Sequence, residues 1–232
     1  MNEIRMGIGF DVLKDIQVLD GENFEYEEPT PEELAAEEER RKKNEEQEKA
    51  KRLRDCGIGE RYRQVKLEDY KTDNPGRASV LELIKQFINN YRTRTMWMVG
   101  NAGTGKTMCA AIICRECWGS HYCKSYQIEM ELDDCKSFKA TESRASILKK
   151  YSDYPLLVID EIGKFESKEE VKYLFMIINE RYEKNKSTVL ISNKSKKELA
   201  EYLGQPVYDR FTENCMSIEF NFESYRLNKR SD

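Results

Sequence analysis

The sequence lacks any apolar run close to the roughly 18 residues that a membrane-spanning helix requires. Its amino terminus, MNEIRMGIGFDVLKD, has acidic residues inside its only apolar patch and no small-residue cleavage site, which excludes a secretory signal. The seven cysteines are an odd number and lack the spacing of a disulfide framework. We therefore expect a cytoplasmic protein with reduced thiols and no association with membranes.

The sequence also has little excess charge, but that charge is unevenly distributed. Residues 1–55 contain 10 Lys/Arg and 17 Asp/Glu, whereas residues 56–232 contain 29 and 26. A main domain so close to neutral is not a strongly basic DNA-binding domain, so any contact with nucleic acid must come from a local patch. The change in composition predicts an acidic N-terminal extension over residues 1–55 and a main domain over residues 56–232.

The N-terminal extension carries a helix signal but few apolar residues. Thr30 and Glu33 form a capping box around Pro31, which predicts a helix that runs to about Arg54. Such a helix cannot bury a face in a core of its own. It is either a solvated helical linker or a docking arm for a partner.

Apolar strands alternate with helical patterns along the main domain. Strands are expected at residues 95–99, 125–130, 156–159, 187–192 and 216–222, with helices around 80–91, 106–117, 144–151, 168–182 and 195–204. Apolar strands separated by helices predict an α/β fold whose parallel sheet is covered by helices on both faces.

A glycine-rich segment, GNAGTGKT, fits the phosphate-binding pattern G-x-x-x-x-G-K-[ST]. It consists of Gly100, Asn101, Ala102, Gly103, Thr104, Gly105, Lys106 and Thr107. The glycines let backbone N–H groups turn toward phosphate oxygens, Lys106 reaches the β- and γ-phosphates, and the Thr107 hydroxyl is a ligand for Mg²⁺. Because the segment follows a predicted strand and opens a predicted helix, it indicates a nucleotide site.

Two acidic residues, Asp160 and Glu161, follow the buried strand LLVI. Open α/β sheets bind their ligands at the carboxyl ends of the strands, where both residues are expected. Asp160 is expected to hold Mg²⁺, often through water. Glu161 is placed to orient and deprotonate an attacking water. The second acid favours hydrolysis over the phosphoryl transfer of a small-molecule kinase, which does not need it.

The chain from about Gly57 to Arg226 resembles the DnaC-type bacterial helicase loaders of the AAA+ ATPases, and their relatives, the IstB-type transposition helpers. The matching segments are GIGERYR (57–63), the P-loop at 100–107, LLVIDEIG (156–163), IINERYE (177–183), SNKS (192–195) and VYDRFTENCMSIEFNFESYR (207–226). The resemblance implies an AAA+ P-loop NTPase that uses ATP and Mg²⁺ and self-associates with ATP between subunits.

Two residues that are unremarkable on their own gain roles from this resemblance. Asn193, at the end of a predicted strand, resembles the sensor residue that reads the γ-phosphate. Arg210 resembles the arginine finger that completes the site of a neighbouring subunit. With Lys106 and Glu161, they form the expected catalytic set.

A basic segment precedes the acidic pair, in the part of the chain that faces single-stranded DNA in the family. It contains Lys136, Lys139, Arg144, Lys149 and Lys150 against one acid, Glu142, with Phe138 available for stacking. Basic residues with an interleaved aromatic suit a sequence-tolerant single-strand groove. A solvated helix face has the same pattern, so both interpretations stand.

Cysteine and histidine also cluster after the P-loop. The spacing of Cys114, Cys117, His121 and Cys123 permits a Cys₃His zinc site. The alternative is buried or free thiols, since small apolar residues pack against the sheet in the helix after a P-loop.

The function implied by the resemblance is ATP-dependent loading of the hexameric replicative helicase onto single-stranded DNA during replication initiation or restart. The N-terminal extension would hold the helicase, but it shows no residue pattern that matches the family. An IstB-like ATPase helper of transposition and a nucleotide-gated adaptor with little turnover are the alternatives.

Overall fold

The computed structural model describes residues 29–135 and 141–223. Internal contacts divide the chain into two units, Met1–Lys43 and Asn44–Asp232. The composition places the domain boundary at residue 56, whereas the second unit already begins at Asn44. Across the described ranges, no helix is both long and apolar enough to cross a membrane.

Helices and strands alternate along most of the described chain. In order they are α1 (Pro31–Asp55), α2 (Pro75–Asn90), β1 (Thr95–Gly100), α3 (Lys106–Glu116), β2 (Ser120–Lys124), α4 (Ser125–Asp134), α5 (Arg144–Asp153), β3 (Leu156–Asp160), α6 (Lys168–Glu183), β4 (Ser187–Ile191), α7 (Lys196–Leu203), α8 (Gln205–Thr212) and β5 (Cys215–Phe220).

The strands form one parallel sheet in the order β2-β3-β4-β1-β5. Alternate residues of each strand face opposite layers. In β1, Met96 and Met98 pack into a core with α2 and α3, whereas Trp97 and Val99 pack into a second core with helices α4 to α8. The expected parallel sheet with helices on both faces is confirmed.

The strand expected at residues 125–130 is wrong. The second strand, β2, ends at Lys124, and the residues after it form α4. The backbone N–H of Lys124 donates to the Gln127 side chain at 2.8 Å, which starts the helix. Ile128 and Leu132, four residues apart, are both buried. The helical spacing of the buried residues therefore determines the structure of this segment, although its first residues alternate between polar and apolar as those of a strand do.

The predicted capping box of α1 is confirmed, since the Thr30 N–H donates to the Glu33 carboxylate at 2.8 Å. The later residues of this helix belong to the main domain. Leu53 is fully buried in its core, and Lys49 pairs with Glu116 at 2.9 Å. Residues 44–55 therefore contribute to the stability of the domain that carries the P-loop.

Candidate active site

The P-loop is shaped by its own backbone. Gly100 has a φ of 115°, and a Cβ there would lie 2.7 Å from the carbonyl oxygen of Phe220, so only glycine fits. The buried Lys106 ammonium donates to the carbonyl oxygens of Gly100 and Asn101, both at 2.6 Å. The hydroxyl of Thr104 donates to Asn101 at 2.8 Å. The expected phosphate-binding residues thus form one compact loop between β1 and α3.

Asp160, at the end of β3, is held by three donors. The Thr107 hydroxyl donates to its Oδ2 at 2.9 Å and the Tyr122 hydroxyl to the same oxygen at 2.8 Å. The backbone N–H of Glu161 donates to Oδ1 at 2.7 Å. Burial and the neighbouring Asp160 raise the pKa of Tyr122, so this phenol stays neutral and remains a donor.

The contact between Thr107 and Asp160 fits a Mg²⁺ site. It brings together a hydroxyl and a carboxylate oxygen, the hard ligands that this ion prefers, and they come from the two predicted motifs. Mg²⁺ in nucleotide sites commonly takes one or two protein oxygens, and water and phosphate oxygens complete its octahedron.

Glu161 has an unusual backbone and a crowded carboxylate. Its φ of 60° lies in the left-handed region, which costs a residue with a side chain on the order of 1 kcal/mol. Lys164 donates to its Oε2 at 2.9 Å, and the Lys124 ammonium lies 3.3 Å from its Oε1. Burial raises the pKa of the Glu161 carboxyl, but the two lysines outweigh burial and hold the pKa below its usual range.

Asn193 lies at the same edge of the sheet as the P-loop and the acidic pair. It follows β4, the strand between β1 and β3, and its side chain is exposed. The next residue, Lys194, accepts a 3.3 Å hydrogen bond at its carbonyl oxygen from the N–H of Gly100. With neighbouring strands about 4.8 Å apart, the backbones of β1 and β3, which lead into the P-loop and the acids, are roughly 10 Å apart on either side of this position.

Arg210 is placed away from these residues. It lies in α8, before β5, and β5 pairs with β1 in parallel from Thr95 opposite Cys215 to Gly100 opposite Phe220. Arg210 therefore lies near the edge of the sheet where β1 and β5 begin. The length of one strand, roughly 20 Å, separates that edge from the P-loop edge. Arg210 does not reach the nucleotide site of its own chain.

A cavity of about 430 Å³ lies at this opposite edge, around Arg210. Four cationic and two acidic side chains line it, namely Arg92, Arg94, Lys186, Arg210, Glu183 and Glu213. The lining therefore has an excess of positive charge and suits an anion.

The residues proposed for DNA contact face different neighbours. Lys150 pairs with Glu131 of α4 at 2.9 Å, whereas the guanidinium carbon of Arg144 lies 5.8 Å from the ring centre of Tyr173 in α6. Lys149 is exposed beside α6. Lys136 and Lys139 lie outside the described residues. A DNA contact by this set remains a prediction.

The cysteines after the P-loop are packed in the interior. Cys114, Cys117 and Cys123 are buried, and the His121 ring stacks on Tyr154 with 4.2 Å between centroids. A hydrogen bond with Cys56 and then burial raise the pKa of the Cys114 thiol, and burial raises the pKa values of the Cys117 and Cys123 thiols, so all three stay protonated. Within residues 29–135 and 141–223, no three His, Cys, Asp or Glu side chains are grouped to hold a metal ion.

Sequence reasoning did not single out Tyr122, Lys124 or Lys164. Tyr122 and Lys124 belong to β2. The alternating pattern at residues 125–130 placed the expected strand several residues too late in the chain. Lys164 follows the acidic pair by three residues, and no known spacing marks it. These residues are identified only by the side chains that they contact.

Solved structures share this fold. The crystal structure of the DnaC helicase loader matches with a TM-score of 0.61 at 23% identity, covering 70% of this chain and 100% of that one. The replication initiator DnaA bound to AMPPCP and single-stranded DNA matches with a TM-score of 0.60 at 20% identity, covering 72% and 52%. With the P-loop and the acidic pair at one edge of the sheet, the fold is that of an AAA+ P-loop nucleotide-binding protein.

Sequence comparison identifies the family. Residues 23–232 match the family described as IstB-like ATP binding protein. The chain is also 30% identical over 179 residues to the replicative helicase loader DnaC of Escherichia coli strain K12, covering 73% of this chain and 72% of that protein. The chain belongs to the IstB-like ATP-binding family, and the resemblance drawn from its motifs is confirmed.

Proposed function

We propose that this protein hydrolyses ATP and uses the cycle to load a replicative helicase onto single-stranded DNA. The observation that carries the ATPase assignment is the direct contact of Thr107 with Asp160, with Glu161 next in the chain. It joins the phosphate-binding loop to a pair of acids at the edge where α/β sheets bind nucleotides.

In the proposed reaction, the P-loop N–H groups and Lys106 hold the β- and γ-phosphates. Glu161 accepts a proton from water as the water oxygen bonds to the γ-phosphorus, and the bond from that phosphorus to the bridging oxygen breaks to release ADP. Thr107 and Asp160 would hold Mg²⁺, which neutralises charge on the phosphates when bound. Asn193, between the two motifs, would contact the γ-phosphate or the water.

The position of Arg210 supports hydrolysis between subunits. Its edge of the sheet lies opposite the P-loop edge, so its guanidinium meets a nucleotide only when a second subunit stacks head to tail. The cationic cavity around it then faces the neighbour's phosphates. Such a heterologous contact produces a ring or an open helical assembly. An arginine supplied by a neighbour makes turnover depend on that assembly.

The loading role rests on the relatives. The E. coli protein with 30% identity is a replicative helicase loader, and a structural neighbour, DnaA, is named as binding single-stranded DNA. By that likeness, the N-terminal extension engages a hexameric helicase while the AAA+ domain engages ATP and DNA.

The test is light scattering on a sizing column, with the protein mixed with the source organism's replicative helicase, ATP and Mg²⁺. The truncated form should lack residues 1–43 and not 1–55, because Leu53 is fully buried in the core of the AAA+ domain. Retained ATP binding would verify that this form is folded.

A complex that forms with the whole protein and is lost on truncation would support the loader and assign the extension. If neither form binds the helicase, the loader role is contradicted. Cooperative binding to duplex DNA would then favour an ATPase helper of transposition. ATP binding without turnover would instead favour a nucleotide-gated adaptor.

A further inference from the structure

Three segments of the chain place basic side chains around one cavity, at the edge of the sheet where the strands begin. Arg94 immediately precedes β1, Lys186 immediately precedes β4, and Arg210 lies in α8. The cavity volume of about 430 Å³ is within the range of small-molecule sites and is larger than a single phosphate group needs. Because these residues are far apart in the chain, only the fold brings them together.

The positive charges around this cavity are not neutralised by nearby carboxylates. Across the part of the chain that the structure describes, Arg94, Lys186 and Arg210 form no ion pair. Glu213, which also lines the cavity, instead accepts a hydrogen bond from the Tyr182 hydroxyl at 2.5 Å. The Arg210 guanidinium donates to a backbone carbonyl at 2.9 Å and so keeps its net charge. A cavity lined by charge of one sign concentrates counter-ions, so this one attracts an anion.

A buried hydroxyl provides a second, independent indication of a ligand. Ser187 lines the cavity and is only 2% exposed, and its Oγ has no hydrogen-bond partner among the described residues. A buried hydroxyl without a partner destabilises a fold, and a bound water or ion commonly accounts for one. Ser187 therefore offers an anion a donor, from the residue next to Lys186.

The donors around the cavity suit phosphate better than carboxylate. Guanidinium, ammonium and hydroxyl groups reach it from three segments of the chain. A carboxylate has two oxygens and is satisfied by the fork of one guanidinium, whereas a terminal phosphate group presents three acceptor oxygens and a larger charge. Two linked phosphate groups match both the number of donors and the volume of the cavity.

We propose that this cavity binds a free polyphosphate, either inorganic pyrophosphate or the phosphate chain of a nucleotide, in a site separate from the P-loop. Arg94, Lys186 and the Ser187 hydroxyl hold the ligand, and Arg210 contributes a third cation. The consequence for turnover rests on the proposed function, in which Arg210 serves a neighbouring subunit. A ligand that occupies Arg210 withholds it from that neighbour and slows the hydrolysis that depends on assembly.

Isothermal titration calorimetry with inorganic pyrophosphate and the full-length protein measures binding. The P-loop also binds phosphates, so the titration is made in Lys106→Ala, whose fold circular dichroism verifies and which should still bind pyrophosphate. In that background, Arg94→Ala and Lys186→Ala should each weaken the affinity about tenfold, because each removes hydrogen bonds to a charged group. Arg54→Ala and Lys197→Ala, exposed substitutions outside the cavity, are the matched controls and should leave the affinity unchanged.

Ser187→Ala separates ligand binding from folding. Removing a hydroxyl that has no partner should leave the Tm of the unliganded protein unchanged or higher, while the affinity for pyrophosphate falls about threefold or more. A hydroxyl with a purely structural role gives the opposite result, a lower Tm with normal affinity.

The number of ADP molecules bound at saturation to the otherwise unmodified protein distinguishes the two sources of phosphate. Two ADP molecules per chain, of which Arg94→Ala loses the second, identify a nucleotide as the ligand. One ADP per chain, together with pyrophosphate binding, identifies an inorganic polyphosphate. The ligand so identified should also inhibit phosphate release by the assembled protein, and Arg94→Ala should need at least fivefold more of it for the same fractional inhibition.

The inference is overturned if neither pyrophosphate nor a second ADP binds, or if Arg94→Ala and Lys186→Ala bind as tightly as their controls. Binding of tetraglutamate in place of pyrophosphate would also overturn it and assign the cavity to an acidic segment of a partner. A protein that binds pyrophosphate as expected but hydrolyses no ATP under any condition would instead contradict the proposed function and leave the site in place.

Discussion

The hydroxyl of Thr107 donates a 2.9 Å hydrogen bond to Oδ2 of Asp160, although 53 positions separate the two residues in the chain. The strand that leads into the P-loop, β1, and the strand that carries the acids, β3, are not hydrogen-bonded to each other, because β4 lies between them. The bond from Thr107 to Asp160 therefore fixes the P-loop helix against the acidic pair more directly than strand pairing does.

Replacing the Thr107 hydroxyl tests the metal site. Thr107→Val removes the oxygen that would bind Mg²⁺, so ATP affinity measured with Mg²⁺ should fall roughly tenfold, with little change in EDTA. Titration of a fluorescent ATP analogue measures both affinities. Thr107→Ser keeps the hydroxyl and should behave as the unmodified protein. Equal Mg²⁺-dependent affinity in the valine and serine variants would exclude Thr107 as a ligand.

Removing the Glu161 charge tests the proposed base. Glu161→Gln keeps the shape of the side chain but cannot accept the proton, so it should bind ATP and release phosphate roughly tenfold more slowly or worse. A binding titration and a phosphate-release assay provide the two readouts. Glu166→Gln is the matched control, because Glu166 is exposed and pairs with Lys194. Unchanged turnover in Glu161→Gln would remove this residue from the mechanism.

The left-handed backbone at Glu161 predicts a gain in stability when the side chain is removed altogether. Glycine adopts a φ of 60° without strain, so Glu161→Gly should be more stable than Glu161→Gln by roughly 1 kcal/mol. Both variants lack the carboxylate, so the comparison isolates the backbone. For a chain of this length we expect the Tm from circular dichroism to rise by about 2–4 °C. An equal or lower Tm for the glycine variant would contradict strain at this position.

Arg210 should act only between subunits. Arg210→Ala should leave ATP binding by the isolated monomer intact and abolish the hydrolysis that depends on assembly, because the residue lies one strand length from its own P-loop. Lys197→Ala, an exposed substitution in α7, is the control. Loss of ATP affinity in the isolated Arg210→Ala monomer would argue against the role.

Mixing two inactive variants sharpens the test of Arg210. Arg210→Ala retains a complete nucleotide site, and Glu161→Gln retains the arginine that would complete it. Phosphate release should therefore recover in part when the two are combined. If the mixture is as inactive as its components, Arg210 does not act across an interface.

The only histidine in the chain allows a direct measurement of burial. Burial, followed by the charge of Lys150, lowers the pKa of His121 to about 4. The unfolded chain therefore takes up this proton at a higher pH than the folded one, and the contribution to stability is lost as pH falls from 6.5 to about 4. The imidazole resonance in a proton NMR titration reports the pKa. His121→Phe should flatten the loss of stability over that range, whereas an observed pKa near 6.5 would contradict the partly buried placement of this ring.

Much of the nucleotide site was predictable because it depends on local sequence. The spacing of Gly100, Gly105 and Lys106 determines a loop by backbone geometry, and the apolar run before Asp160 determines a buried strand. The segment after β2 was misread, because a short stretch that alternates apolar and polar residues fits both a strand and the start of a helix. Only the burial of Ile128 and Leu132 together decides for the helix.

Residue order and spacing specify the class of site: a P-loop followed by a strand that ends in two acids, on a parallel sheet between helices. The three-dimensional fold determines which side chains meet across that sheet. It brings Tyr122 onto Asp160 and two lysines onto Glu161, and it separates Arg210 from its own P-loop by a strand length. The physical reason is that strand order, which inserts β4 between β1 and β3, arises from packing of the whole chain and leaves no mark in local spacing.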